Sequence, residues 1–395
     1  MALFDKCTEF NRRVNYLKTL NQFFYLRETN PAATPVVITK AGNRLIQLAS
    51  NNYLGLSYHP KVVEAVTKAI EEYGTGSCSS RVLAGTTSLH VELERRLASF
   101  KGTEDAVVFS TGYMTMMGTI SAITGEGDII LSDQLNHASI IDGCRLSRAE
   151  VKIYQHNNMT SLEEKLASCD LSANKLIVTD GVFSMKGTVA NLPEIKKLAD
   201  RYNACIMVDD AHGTGVLGTK GHGILEYYNM EGEIDLICGT FSKSLATIGG
   251  FTGATKEIVT FLRLNSRPFV FTASPPAPVV ATALAALTVI EEEPELLRKL
   301  HKNADFLKRE LIEAGFTLEE TITPIIPILI GNDEKVFKMA GQLEEEGVMV
   351  NPVVPPAVPE ESSLIRVSVM ASLSMDELAE AISKFKIVGK RLGVI

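Results

Sequence analysis

The sequence has few cysteines for its length, and none of them belongs to a paired motif. Six cysteines are scattered over 395 residues without a CxxC spacing. This pattern excludes a disulfide framework or a zinc finger and is typical of reduced thiols in the cytoplasm. The HExxH motif of zinc proteases and the GxSxG motif of many serine hydrolases are also absent.

The chain also lacks a long apolar run and an excess of positive charge. Asp5, Lys6 and Glu9 interrupt the first helical stretch, so we expect no signal peptide. The longest apolar run of helical type, residues 279–290, is too short to cross a bilayer. The net charge is −8 and the pI is near 5.5, which argues against nucleic acid or an anionic membrane as the main partner. We therefore expect a cytoplasmic protein with no integral membrane segment.

Short apolar runs alternate with amphipathic segments through the middle of the chain. The runs are residues 106–109, 128–131, 151–154, 175–178 and 205–208, and they predict strands buried on both faces. Residues 89–100, with Ser88 as a plausible cap, and residues 193–202 carry apolar residues on one face and predict helices. The alternation predicts a mostly parallel α/β sheet.

The C-terminal quarter has a different pattern. Strand-like runs at 325–330, 348–350 and 364–370 are separated by a helical pattern at 336–346, which predicts a compact α+β domain. We therefore predict an N-terminal arm over 1–45, a large domain over 46–285 and a small domain over 286–395. The proline-rich segment 352–359 is expected to form an ordered loop.

Lys243 lies in the segment Gly239-Thr240-Phe241-Ser242-Lys243-Ser244-Leu245, just after an apolar run. Most lysines are solvated surface charges, but one between small hydroxyl residues and apolar strands is less exposed. A buried amine loses its proton more readily, and the neutral amine attacks carbonyl groups. On this segment alone, a Schiff-base lysine and an ordinary lysine both remain open.

Asp209 and Asp210 begin the cluster Asp209-Asp210-Ala211-His212-Gly213, which follows the apolar run 205–208. The cluster could be a metal pair, a helix cap or a cofactor site, but no third metal ligand has an obvious spacing. A carboxylate beside a pyridine nitrogen would keep that ring protonated. Since side chains alternate along a strand, the two aspartates should point to opposite sides, and one of them should be structural.

Three further segments carry weaker signals. Ser110-Thr111-Gly112-Tyr113 opens a helical run, whose start is either a bare helix end or a phosphate site. His137 follows the run 128–131, where a lone histidine is usually structural but could stack on a ring at the carboxyl edge of a sheet. Residues 213–218 match GxGxxG, but the residues after them do not predict the helix that a dinucleotide site needs.

Taken together, these segments resemble the α-oxoamine synthases over nearly the whole chain. The specific motifs are residues 180–185, 209–213 and 240–243, between Leu48-Ala49-Ser50-Asn51-Asn52-Tyr53 and Leu364-Ile365-Arg366-Val367. The resemblance implies the aspartate aminotransferase fold, with a large domain built on a mostly parallel, seven-stranded type of sheet flanked by helices. It also implies pyridoxal phosphate, a homodimer with a shared active site, and condensation of an amino acid with an acyl-CoA with loss of carbon dioxide.

The resemblance further implies roles for individual residues. Lys243 would bind the cofactor covalently and act as the base, Asp209 would pair with the ring nitrogen, and His137 would stack on the ring. The remaining contacts would be His212 and Ser184 to the ring hydroxyl, Gly112, Tyr113 and Thr240 to the phosphate, Thr272 to the phosphate of the partner subunit, Asn51 and Arg366 to the substrate carboxylate, and Arg81 near the CoA channel. No metal ion is expected.

The choice of substrates is less specific. Phe241 and the segment 351–359 are similar to bacterial serine palmitoyltransferases, which favours serine and a long-chain acyl-CoA. The tail 390–395 is instead similar to glycine C-acetyltransferases, and 8-amino-7-oxononanoate synthases remain a further alternative. An aminotransferase or decarboxylase would share Lys243 and Asp209, whereas a non-enzymatic subunit of this fold typically lacks the lysine.

Overall fold

The computed structural model describes residues 3–20, 22–31, 33–170, 172–359 and 361–395. By internal packing the chain divides into two compact units, residues 51–300 and residues 1–50 with 301–395. The three-part division inferred from the sequence stays a prediction.

The bounds of the secondary structure elements are as follows. The helices are α1 (Asp5–Thr19), α2 (Pro60–Tyr73), α3 (Ser88–Lys101), α4 (Gly112–Ile123), α5 (Ala138–Ser147), α6 (Met159–Ala167), α7 (Leu192–Tyr202), α8 (Ile224–Tyr228), α9 (Lys256–Asn265), α10 (Arg267–Val270), α11 (Ala277–Glu292), α12 (Glu295–Glu313), α13 (Asp333–Glu345) and α14 (Met375–Arg391). The strands are β1 (Thr29–Asn30), β2 (Val36–Thr39), β3 (Arg44–Gln47), β4 (Asp105–Phe109), β5 (Ile129–Asp133), β6 (Glu150–Tyr154), β7 (Lys175–Asp180), β8 (Cys205–Asp209), β9 (Leu236–Thr240), β10 (Gly250–Ala254), β11 (Ile325–Leu329), β12 (Val348–Met349), β13 (Asn351–Val353) and β14 (Leu364–Ser368).

A seven-stranded sheet forms the centre of the unit 51–300. Its strand order is β4-β10-β9-β8-β7-β5-β6, and only β10 runs antiparallel to its neighbours. The mostly parallel α/β sheet predicted from the sequence is therefore confirmed. Because β4 and β9 both run opposite to β10, the carboxyl ends of β4, β5, β7, β8 and β9 meet at one edge.

The local sequence explains these elements. Every residue of β5, β7 and β9 is buried, as continuous apolar runs predict, whereas the edge strand β6 exposes most of its residues. Helix α7 begins with Pro193 in its first turn and buries Ile195, Leu198 and Ala199. The predicted cap of helix α3 was wrong by one residue, because Thr87 rather than Ser88 caps the helix.

The unit formed by residues 1–50 and 301–395 has two smaller sheets. One has the strand order β1-β2-β3-β12 and the other the order β11-β14-β13. The proline-rich segment begins as strand β13, which pairs with β14, so it is only partly a loop. Within the described ranges, no helix combines the length and the apolar character needed to span a membrane.

A buried ion pair fixes the loop that follows β8. The Lys101 ammonium donates to Asp210 Oδ2 at 2.7 Å and to the His222 carbonyl at 2.5 Å, and both charged side chains are inaccessible to solvent. The Ile224 N–H and the Thr214 hydroxyl donate to the same carboxylate. The loop contains the GxGxxG match, and the next helix, α8, begins only at Ile224, so the loop does not form a dinucleotide site.

We predict that Lys101→Met destabilises the protein by about 3–5 kcal/mol, because it leaves the Asp210 carboxylate buried without a counter-charge. The measurement is urea-induced unfolding followed by circular dichroism. The control is Lys68→Met, which removes an exposed ion pair with Glu64 and should cost about 1 kcal/mol or less. Adding Asp210→Asn to Lys101→Met should restore part of the loss. Equal stability of the Lys101 and Lys68 variants would contradict the interpretation.

Candidate active site

A cavity of about 250 Å³ lies at the carboxyl edge of the seven-stranded sheet. Its walls come from the last residues of β7, β8 and β9, from the segments that follow β4, β5, β7, β8 and β9, and from the two residues before β10. The lining residues are Thr111, Gly112, Tyr113, Met116, His137, Ser139, Asp180, Val182, Ser184, Asp209, Ala211, His212, Thr240, Ser242, Lys243, Ile248 and Gly249. This edge is where α/β proteins place their ligands, and it brings together most of the site residues inferred from the sequence.

Lys243 lines the cavity from a tight turn that follows β9. The Ala246 N–H donates to the Lys243 carbonyl at 3.0 Å, which closes the turn. Phe241 is fully buried and stacks on Phe251, with ring centroids 6.2 Å apart. A Cβ atom at Gly249 would lie 2.4 Å from the Phe241 ring, and its φ of +133° also favours glycine. The amine is therefore carried by a turn with a defined shape.

Asp209 ends β8 and lines the same cavity with only 6% of its surface exposed. Its Oδ1 accepts the Ala211 N–H at 3.0 Å. Burial raises the pKa of Asp209 to about 6, although the charge of Lys243 and this hydrogen bond lower it. Asp210 points away and pairs with Lys101, so the predicted alternation of the two aspartates is confirmed.

His137 caps helix α5 and lines the cavity. Its imidazole Nδ1 accepts the Ser139 N–H at 3.3 Å, and the backbone N–H of His137 donates to Asp180 Oδ2 at 3.2 Å. The ring of Tyr113 lies edge-on to it, with centroids 6.2 Å apart. Burial and the charge of Lys243 lower the pKa of His137, so the imidazole is neutral at pH 7. A neutral, fixed ring is suited to stacking on an aromatic ligand.

His212 is oriented by a buried tyrosine. The Tyr53 hydroxyl lies 2.7 Å from His212 Nδ1, and Tyr53 is completely buried. The same hydroxyl donates a longer hydrogen bond, of 3.5 Å, to Asn51 Oδ1. The Tyr53 hydroxyl therefore links Asn51 to His212 through two hydrogen bonds. Ser184 lines the cavity itself.

The start of helix α4 lies on one wall of the cavity. Thr111 caps the helix by accepting the Met114 N–H at 3.0 Å, and the first turn contains no acidic residue. The first N–H groups of a helix have no partner inside it and lie at its positive end. A Cβ atom at Gly112 would lie 2.5 Å from Thr240 Oγ1, so glycine lets the helix start approach β9.

These groups fit pyridoxal phosphate. An amine can react with its aldehyde, a buried carboxylate can face its ring nitrogen, and an imidazole can cover its ring. The start of α4 provides the donors that its phosphate needs. Among the described residues, no cluster of three or more histidine, cysteine or acidic side chains could hold a metal ion.

Arg81 does not line this cavity. Its guanidinium makes a two-pronged ion pair with Glu94 at 2.9 and 3.0 Å, and its Nε donates to Thr86 Oγ1 at 3.0 Å. The group also lies 5.6 Å from the centre of the buried Phe269 ring. These contacts tie the loop of Arg81 to α3, and the role of Arg81 near the CoA channel stays a prediction.

Three other predicted residues, Asn51, Thr272 and Arg366, also lie outside the lining of the cavity. Thr272 is half-buried in the segment after α10. Arg366 lies on β14 of the other compact unit, is buried, and donates to Ser368 Oγ at 2.7 Å. Their roles stay predictions.

Sequence reasoning missed Asp180, which ends β7 and is buried in the cavity wall. The residue stands in the motif 180–185, where only Ser184 had received a role. A signal was available, because Asp180 follows a buried apolar run in the same way as Asp209. Tyr53 was also missed, and its contact with His212 joins residues 159 positions apart.

Comparison with known proteins identifies the family. A model of class I and II aminotransferases matches residues 43–385. The chain is 44% identical to serine palmitoyltransferase of Sphingobacterium spiritivorum, over 98% of this chain and 97% of that protein. It is 43% identical to 8-amino-7-oxononanoate synthase of Thermoanaerobacter pseudethanolicus, over 90% of each chain.

The solved structures agree. A high-resolution structure of SPT with a PLP internal aldimine superposes with a TM-score of 0.96 at 34% identity, and the alignment covers 100% of both chains. The fold inferred from the sequence and its cofactor are confirmed together. The chain therefore belongs to the α-oxoamine synthases, the pyridoxal phosphate-dependent acyltransferases within the class I and II aminotransferase family.

Proposed function

We propose that this α-oxoamine synthase condenses serine with a long-chain acyl-CoA. The observation that supports this choice most is the similarity to serine palmitoyltransferases over almost the full length of both chains. Phe241 and the segment 351–359 support it from the sequence. The products are a long-chain α-oxoamine, free CoA and carbon dioxide.

A second candidate follows from the similarity to 8-amino-7-oxononanoate synthases, which is nearly as high. The name of that product defines its precursors. The amino carbon and the terminal methyl group correspond to alanine, and the other carbons correspond to an acyl group that ends in a carboxylate. The two candidates therefore differ in the amino acid and in the charge at the far end of the acyl chain.

Lys243 is proposed as the covalent attachment point and the base. Bound pyridoxal phosphate is an electron sink for the negative charge that develops at the α carbon of the amino acid. When it is not bound to the cofactor, Lys243 Nζ would take the proton from the α carbon of the amino acid. The α carbon then attacks the thioester carbonyl, the CoA thiolate leaves, and the resulting β-keto acid loses carbon dioxide.

The other side chains orient the reactants. Asp209 provides the negative charge that keeps the ring nitrogen protonated, and the neutral His137 covers the ring. His212 and Ser184 contact the ring hydroxyl, while the start of α4 and Thr240 bind the phosphate. We retain Asn51 and Arg366 as the proposed ligands of the substrate carboxylate, for which a guanidinium offers two parallel hydrogen bonds.

We also propose that the enzyme is a homodimer in which Thr272 reaches the phosphate site of the partner subunit. Beside Thr272, Phe271 exposes 75% of its surface. Leu83 exposes 82%, and the bridge between Ser80 and Ala273 joins its segment to the residue that follows Thr272. Large apolar side chains clustered at the surface are typical of a protein interface.

The role of Lys243 predicts a yellow protein whose visible absorption disappears on reduction with borohydride, with the cofactor fixed to the peptide that contains Lys243. We expect Lys243→Ala to fold but to release CoA about 10²–10⁴-fold more slowly, since a positioned base usually contributes that much. Lys220→Ala, which removes an exposed lysine, is the control and should behave like the natural enzyme. Normal turnover by the Lys243 variant would contradict the assignment of the base.

The proposed substrates predict the outcome of a grid that combines glycine, alanine and serine with acetyl-CoA, palmitoyl-CoA and a carboxylate-ended acyl-CoA. CoA release should be fastest with serine and palmitoyl-CoA. Preference for alanine with the carboxylate-ended donor would establish the second candidate, and preference for glycine with acetyl-CoA would reject both. Formation of a keto acid without CoA release would instead indicate an aminotransferase.

The proposed interface predicts a dimer by light scattering and its loss in Leu83→Glu. The introduced charge would have to be buried without a partner, so the variant should be monomeric at micromolar concentration and bind the cofactor more weakly. Ile312→Glu is the matched control, because it places the same charge at an exposed residue of α12. A monomeric natural enzyme, or a fully dimeric Leu83 variant, would overturn the proposal.

A further inference from the structure

Two buried acids, rather than one, face the cavity of the seven-stranded sheet. Asp180 ends β7 and Asp209 ends β8, and both side chains line the cavity. Each residue has less than a tenth of its surface exposed. The mechanism described above uses only Asp209, so the function of the second acid is unexplained.

The register of the sheet places the two carboxylates side by side. Asp180 and Asp209 are directly paired in the parallel β7–β8 ladder. Neighbouring strands are about 4.8 Å apart, and paired residues point to the same face. The backbone therefore holds the two side chains close together, and only a change of rotamer could move them apart.

The surroundings of Asp180 contain more negative than positive charge. Asp209 on β8 and Asp133 on β5 add negative charge, whereas Lys243 is the cation that acts on Asp180. The backbone N–H of His137 donates to its carboxylate, and Asp133 itself is hydrogen-bonded to His156. Burial and the charge of Asp209 raise the pKa of Asp180 well above its usual range. Two carboxylates that share a buried site disfavour each other's ionisation.

Asp180 is also fixed more firmly than a loop residue. Its own N–H donates to Asn136 Oδ1 at 2.9 Å, while the Asn136 amide donates to the Val178 carbonyl at 2.8 Å. The Asn136 side chain thus bonds to the backbone of β7 beyond the end of β5. His137 is the next residue in the chain. The bond from the His137 N–H to Asp180 Oδ2 then sets the position of the His137 backbone.

We propose that Asp180 is a positioning residue that carries the proton of the Asp180–Asp209 pair and anchors His137. Asp209 alone then presents a negative charge to the ring nitrogen of the cofactor. The inference rests on the proposed roles of Asp209 and His137. It explains why a second acid is tolerated here, since a neutral carboxyl adds a hydrogen-bonding group without a second buried charge.

The experiment compares Asp180→Asn, Asp180→Ala and Asp209→Asn in the full-length, cofactor-loaded enzyme. The first readout is the infrared band of protonated carboxyl groups at pH 7. We expect the natural enzyme to show a band that Asp180→Asn and Asp180→Ala lose and that disappears as the pH is raised. The second readout is the visible circular dichroism of the bound cofactor, which reports how asymmetrically its ring is held.

The two Asp180 variants distinguish its role as the holder of the proton from its hydrogen bond to the His137 backbone. Asparagine keeps an oxygen that can accept the His137 N–H, so Asp180→Asn should retain the visible circular dichroism, whereas Asp180→Ala should reduce it. Thermal unfolding of both variants checks that any loss is not general unfolding. A merely structural role for Asp180 would leave the infrared band unchanged in the asparagine variant.

The outcomes also distinguish this inference from the proposed function. No protonated-carboxyl band in the natural enzyme, a band that persists in Asp180→Asn, or a band lost only in Asp209→Asn would overturn the inference. Equal visible circular dichroism in the alanine and asparagine variants would overturn the anchoring of His137. If Asp209→Asn retained full CoA release, the role of Asp209 in the proposed function would fail, whatever the infrared band of Asp180 showed.

Discussion

The site depends on how a parallel sheet presents successive side chains where its strands end. At the end of β8 two adjacent acids are buried on opposite sides, and their partners differ. Asp210 meets the Lys101 ammonium at 2.7 Å, which neutralises it and fixes the following loop. Asp209 instead faces the cavity, where its charge is available to a ligand. A shift of one residue in this strand would exchange the two acids and abolish both the ion pair and the site.

Close backbone approach is the second constraint on the site. Helix α4 can approach β9 only because Gly112 has no side chain, and the turn that carries Lys243 can pass over Phe241 only because Gly249 has none. Both glycines therefore set distances between reactive groups without contacting a ligand through a side chain. The start of α4 and the turn that carries Lys243 are held on the same wall because Thr240, at the end of β9, lies next to both glycines.

The sequence predicts the sheet and the reactive residues for the same reason. Buried parallel strands leave uninterrupted apolar runs, and Lys243, Asp209 and His137 all follow such runs closely, so position alone places them at one edge. Contacts between distant segments leave no comparable pattern. The pairing of Arg81 with Glu94 and that of Tyr53 with His212 depend on tertiary packing, and neither can be read from local spacing. Asp180 was missed although it has the same position as Asp209, because only one acid was needed to explain the chemistry.

The buried carboxylate of Asp209 also affects how the stability of the fold depends on pH. Burial raises the pKa of Asp209 to about 6, whereas an aspartate in an unfolded chain ionises near pH 4. Between these values the unfolded chain has released a proton that the folded chain still holds, so this residue favours folding less as the pH rises through that window. A cation placed against Asp209 reverses the effect, because it stabilises the ionised form in the folded protein alone. In the proposed site the protonated ring of the cofactor would be such a cation, so its binding should stabilise the fold more at pH 7 than at pH 4.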